Sequence, residues 1–120
     1  MRQKIKADNI IIRFHGGERR IRSNMLNYVN IVKRCMCYHL TDGTMFDGQV
    51  LRTSFERAIE PFDQLPSMLF LPPSLLINLS EIKIINSDNI VFENGEVLHF
   101  PVRAGEIIRK AWTRYNTLLL

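Results

Sequence analysis

The stretch MLFLPPSLLINLSEIKIINSDNIVFENGEVLHFPVR, residues 68–103, decides the fold of this chain. Short apolar runs alternate with turn residues, and none is long or periodic enough for a helix. Met68–Leu71 and Leu75–Ile77 are the first runs, and Glu81–Ile85 is the next. Ile90–Glu93 then pairs with Glu96–Val102 across Asn94-Gly95, since both turn residues tolerate the positive φ of a two-residue type I′ hairpin. In that register Phe92 faces Val97 and Val91 faces Leu98. Helical spacing begins only near Gly105, so Arg103 is expected at the mouth of a loop between strand and helix.

The rest of the chain reads in the same way. Asn9–Phe14 is β-branched and aromatic, His15-Gly16-Gly17 is a turn, and Arg19–Arg22 and Met25–Ile31 follow as strands. From Lys33 to Thr41, Cys35, Cys37 and His39 alternate with Met36, Tyr38 and Leu40. Asp42-Gly43 supplies a second type I′ signal, and Thr44–Gln49 returns antiparallel, setting Leu40 opposite Met45 and His39 opposite Phe46. Two helices are expected. Thr53-Ser54-Phe55-Glu56 forms a capping box with Thr53 as the cap; Phe55, Ala58, Ile59 and Phe62 are its apolar stripe, and Pro61 marks its end. The second runs from about Gly105 to about Leu118, with Ile107, Ile108, Ala111, Trp112 and Tyr115 at helical spacing. The expected class is mainly β: small antiparallel sheets and two short helices.

At 120 residues the chain is one domain with enough sequence for a core of its own. Residues 1–8 are polar and expected to be a disordered extension, leaving 9–120 as the domain. Apolar runs are too short to cross a membrane and no h-region follows Met1, so a cytoplasmic protein is the default. Cys35 and Cys37 read as small buried hydrophobes. No cluster has metal-ligand spacing, no nucleophile motif occurs, and Gly16-Gly17 is no phosphate loop. Catalytic residues, metal, cofactor and small-molecule substrate are therefore all expected to be absent, and the chain is read as no enzyme.

Charge is segregated. Residues 1–41 hold nine Lys/Arg against Asp8 and Glu18; residues 42–100 hold nine acids against Arg52, Arg57 and Lys83; residues 101–120 hold four bases against Glu106. The ends build an electropositive surface, which attracts phosphates, nucleic acid first and an anionic membrane second. Lys33-Arg34 lies in a short loop between strands, and Arg103 in a second loop. Arginine in either place can fork onto guanine or clamp phosphate. The bland alternatives are a solvated turn for Lys33-Arg34 and a salt bridge from Arg103 to Glu106 or Asp63. Arg109, Lys110 and Arg114 are secondary phosphate candidates, which the helix dipole would also explain.

On these residues the chain resembles the LytTR family, the β-rich DNA-binding output domain of bacterial two-component response regulators. Ser74, Leu75-Leu76-Ile77 and Asn78 match the end of the family signature. Ile82, Ile84-Ile85, Ile90-Val91-Phe92, Asn94-Gly95-Glu96 and Phe100-Pro101-Val102-Arg103 follow in the family's order. Met25-Leu26-Asn27-Tyr28-Val29 resembles its early strand and Phe55–Ile59 its first helix. The resemblance implies elongated small sheets whose loops enter successive major grooves of double-stranded DNA, and admits a homodimer on repeated half-sites. It implies DNA contact by Lys33, Arg34, Ser74 and Arg103, while Asn78 is read as structural. The chain departs from the pattern at Met68, at Phe70 where a base is usual, and at Pro72-Pro73 where the family carries polar DNA-contacting residues. The alternative is a LytTR-like protein-interaction module with weakened DNA binding, using an exposed apolar loop Leu69–Pro73.

Overall fold

The computed structural model describes residues 9–14 and 16–118, without the side chain of Asp63. The expected 1–8 extension lies outside them. Among the described residues, ten strands, three helices and two 3-10 turns form a plate of 42 × 41 × 25 Å. The strands are β1 (Asn9–Phe14), β2 (Gly17–Arg22), β3 (Leu26–Val32), β4 (Cys35–Leu40), β5 (Met45–Val50), β6 (Met68–Leu71), β7 (Leu75–Asn78), β8 (Ile82–Ile85), β9 (Asn89–Phe92) and β10 (Val97–His99). The helices are α1 (Phe55–Ala58), α2 (Glu60–Asp63) and α3 (Val102–Leu118).

A five-stranded antiparallel sheet, ordered β5-β4-β3-β7-β6, is the central layer. Both of its faces are covered, so its middle strands carry unbroken apolar runs rather than alternation: Leu76 and Ile77 are adjacent and both fully buried. One face presents Val29, Met36, Tyr38, Leu40 and Leu76 to Ile10, Ile12 and Ile21 of the β1–β2 hairpin and to Phe55, Ile59 and Phe62 of the short helices. The other face presents Tyr28, Leu71 and Ile77 to the three-stranded sheet β10-β9-β8 and to Ile108 of α3. The two cores are separate clusters, one on each side of a single sheet.

Both X-Gly turns differ from expectation, in the same way. Only Gly43 and Gly95 have positive φ, +89° and +92°; Asp42 and Asn94 do not. Leu40 N donates to Thr44 O and Gly43 N to Leu40 O; Phe92 N donates to Glu96 O and Gly95 N to Phe92 O. Each loop thus has three residues, a turn followed by a left-handed glycine. The extra residue moves each pairing by one: His39 faces Met45, Tyr38 faces Phe46, Val91 faces Val97 and Ile90 faces Leu98. The side-chain oxygens of Asp42 and Asn94 explain the choice, accepting from Thr44 N and Glu96 N at 2.9 Å in both loops.

The helices begin elsewhere than expected. Ser54, not Thr53, caps α1, its hydroxyl accepting from Arg57 N at 3.2 Å. Pro61 stands in the first turn of α2 instead of ending α1, where its missing N–H costs nothing. α3 starts at Val102, directly after Pro101, and β10 already stops at His99. Val102 and Arg103 are exposed, so the first turn of α3 leaves no apolar pattern to read. Arg103 is therefore a helical residue, not a loop residue.

Candidate nucleic-acid interface

Lys33 and Arg34 are the two central residues of the β3–β4 turn, with Val32 facing Cys35 across it. Both have positive φ, 51° and 68°, the backbone that a two-residue hairpin needs and that non-glycine residues adopt at a cost of about 1 kcal/mol each. Both are exposed, and no described carboxylate lies within ion-pair distance of either. β3 pairs β7 with Val29 opposite Leu76, so the Lys33 end of β3 runs toward the start of β7, where half-buried Ser74 follows exposed Pro72 and Pro73. Lys33, Arg34 and Ser74 thus share one end of the central sheet.

Placing Arg103 on α3 aligns it with residues far along the helix. At 3.6 residues per turn, Arg103, Lys110 and Arg114 fall within about 40° of one another, over a rise of about 16 Å. All three are exposed, whereas Gly105 and Ile108 face the core. Arg109 stands about 100° from Lys110 around the helix, off this stripe. Glu106 lies 3.8 Å from both Arg109 and Lys110, and no described carboxylate pairs with Arg103 or Arg114. The bland alternative of an Arg103–Glu106 bridge is not found; Glu106 faces Arg109 and Lys110 instead. The dipole does not account for these cations either: the last turn holds no base, and Arg103 sits in the first turn, where positive charge is disfavoured.

A polar lock sets the two sheets against each other. Asn27, 1% exposed within β3, donates from Nδ2 to Asn94 Oδ1 (3.2 Å) and to Glu96 Oε1 (2.9 Å). Asn94 Nδ2 donates to Thr41 O, and His39 Nδ1 lies 3.3 Å from Glu96 Oε2. The His39 ring stacks on Tyr28 at 3.9 Å, and Tyr28 stacks on Phe92. Burial, opposed by the Glu96 carboxylate, lowers the His39 pKa; burial and then Glu96 raise that of Tyr28. Lys33 and Arg34 lie at the end of the central sheet remote from this lock. Arg103 likewise follows the end of β10 remote from the Asn94 turn. The lock was not foreseen, although Asn27, one of two asparagines in an otherwise largely apolar strand run, was its visible sign.

Asn78 is 1% exposed, donates to Leu26 O (2.8 Å) and Ser23 O (3.2 Å), and accepts from Ser80 N and Oγ. The apolar loop of the alternative reading is largely covered: Phe70 stacks on Phe55, Leu69 and Phe70 are half-buried, Leu71 is buried, and Pro72 and Pro73 are exposed. Cys35 and Cys37 are free thiols, and burial, then an Asp47 hydrogen bond, pushes the Cys37 thiol up to about 11. Among the described residues no group of three or more His, Cys, Asp and Glu could hold a metal ion, and no helix is long and apolar enough to cross a membrane.

No protein-family model matches the chain, and no curated protein matches it significantly. Among solved structures, it is similar to the LytTr DNA-binding domain of a Bacillus cereus protein assigned as a methyl-accepting/DNA response regulator. The TM-score is 0.65 at 14% sequence identity, over 88% of this chain and 96% of that one. Mainly β, with small antiparallel sheets covering both faces of a central one, this chain has the fold of a LytTR DNA-binding domain.

Proposed function

We propose that this chain binds double-stranded DNA as a transcription-regulating domain, with the Lys33-Arg34 turn and the Arg103 end of α3 meeting the major groove. The observation that carries this reading is a set of cations with no described ion-pair partner. Lys33 and Arg34 are held at a turn tip in left-handed backbone, and Arg103 and Arg114 lie along one exposed stripe of α3 with Lys110 between them. Unpaired guanidinium and ammonium groups on a rigid edge release condensed counterions when they meet phosphate. Ser74, at the same end as Lys33, donates a hydroxyl to a backbone oxygen. Arg109, Lys110 and Arg114 contact phosphate, which positions the domain without reading sequence. The similar Bacillus cereus domain is described as DNA-binding, which supports the same partner here. A bacterial two-component system and the cytoplasm are the setting that goes with it, and repeated half-sites would recruit two copies.

Pro72-Pro73 leave Ser74 as the one side-chain donor of the β6–β7 turn, so base readout rests on Lys33, Arg34 and Arg103. Duplexes selected from a random pool give a site for the test. Arg103→Ala should weaken binding to that site by about 1–3 kcal/mol more than to random duplex if the guanidinium reads a base. A uniform loss with a shallower salt slope would restrict it to phosphate. Unchanged affinity in a gel shift at low salt would remove Arg103 from the interface.

A further inference from the structure

The layer opposite the three-stranded sheet has two oppositely charged halves. The β1–β2 hairpin buries Ile10, Ile12 and Ile21 against the central sheet. Its register then turns Asn9 and Arg22, Ile11 and Arg20, and Arg13 and Glu18 outward as facing pairs. Arg13 is tied to Glu18 at 2.8 Å, while Arg20 and Arg22 have no described ion-pair partner. Opposite Arg20, Ile11 stays 55% exposed. An apolar side chain ringed by arginines is a protein-contact composition. Beside the hairpin, on the same face of the sheet, α1 and α2 bury Phe55, Ile59 and Phe62 and turn Glu56 and Glu60 outward. These two carboxylates line a shallow cavity of about 350 Å³ with Ser54 and Arg57, and neither has a described cation partner.

We propose that two copies of this chain associate through this layer about a two-fold axis, Arg20 and Arg22 of each copy meeting Glu56 and Glu60 of the other. A surface with one positive and one negative half is self-complementary under such a rotation, and the contact closes at two copies. Arg57 tempers the acidic half, which keeps the association weak and dependent on salt. Ile11, within the positive half, adds apolar contact beside Arg20. The layer is separate from the stripe on α3, so the association neither requires DNA nor competes with it.

Sedimentation of the whole chain as a function of concentration and salt tests this. At low ionic strength a species of twice 14.0 kDa is expected, dissociating as salt screens the contact. Arg20→Glu with Arg22→Glu should weaken association at least about tenfold, and so should Glu56→Lys with Glu60→Lys. Mixing the two variants restores both contacts and should return the dimer, which also establishes that each variant is folded. A wild type that stays monomeric at low salt, reversed variants that still dimerise, or a mixture that stays monomeric would each overturn the proposal. Growth beyond two copies would replace the two-fold arrangement with a head-to-tail one and overturn it as well.

Discussion

Asn94 Nδ2 donates to the carbonyl oxygen of Thr41 at 3.1 Å, joining the tips of two hairpins that belong to different sheets. Both tips are three-residue loops closed by a glycine, and both use an Asx side chain to hold the amide two residues on. Asn27 reaches the same point from inside β3, so one end of the molecule is fastened by side-chain amides and the Glu96 carboxylate.

Removing Asn27 should loosen that fastening. Asn27→Ala removes the buried donor to Glu96 Oε1 and Asn94 Oδ1, at a cost of about 1–3 kcal/mol. Asn27→Asp should cost more, because it sets a second carboxylate against Glu96. Urea unfolding midpoints measure both; an Asp variant as stable as wild type would refute the role given to this amide.

Lys33 and Arg34 should trade stability for binding. Lys33→Asn with Arg34→Gly puts residues that accept positive φ into the turn and should raise stability by about 1 kcal/mol. The same change removes two cations and should flatten the salt dependence of duplex affinity by about two units of slope. Thermal unfolding and a salt titration read the two effects independently; a double variant less stable than wild type contradicts the strain.

His39 predicts a pH dependence of defined sign. Its folded pKa lies below its ordinary value of 6.5, first because burial penalises the imidazolium, with Glu96 opposing. The unfolded chain then binds the extra proton, so His39's contribution is complete above about pH 6.5 and is lost as pH falls toward the folded value. Urea midpoints of wild type should fall between about pH 7.5 and 6, and His39→Gln should fall less. A larger fall in the variant would mean that Glu96 outweighs burial.

Gly105 sits where helix propensity and packing disagree. Alanine is favoured in a helix by about 1 kcal/mol, yet a Cβ at this position would stand 2.9 Å from Ser87 O and 3.3 Å from Phe100 Cε1. The first obstacle is backbone and cannot swing aside. Gly105→Ala should therefore destabilise by about 1–3 kcal/mol in denaturant unfolding.

The strands, the turns between them and the apolar faces of both helical regions were legible in the sequence, because each depends on residues close together along the chain. Alternation, turn glycines and prolines report local backbone preference, and they placed Lys33 and Arg34 in a tight turn. The register of the two X-Gly hairpins was not legible. Asn-Gly and Asp-Gly suit two-residue and three-residue loops alike, and an Asx hydrogen bond to the next strand selects between them. The start of α3 was hidden for a related reason, since its exposed first turn carries no apolar period. Only the tertiary structure put Arg103 in line with Lys110 and Arg114, brought Ser74 beside the Lys33 turn through β3–β7 pairing, and gathered Asn27, His39, Asn94 and Glu96 at one junction. Those groupings join residues up to 69 positions apart. Pairing between distant strands and the stacking of sheets create them, and no local preference in the chain encodes either.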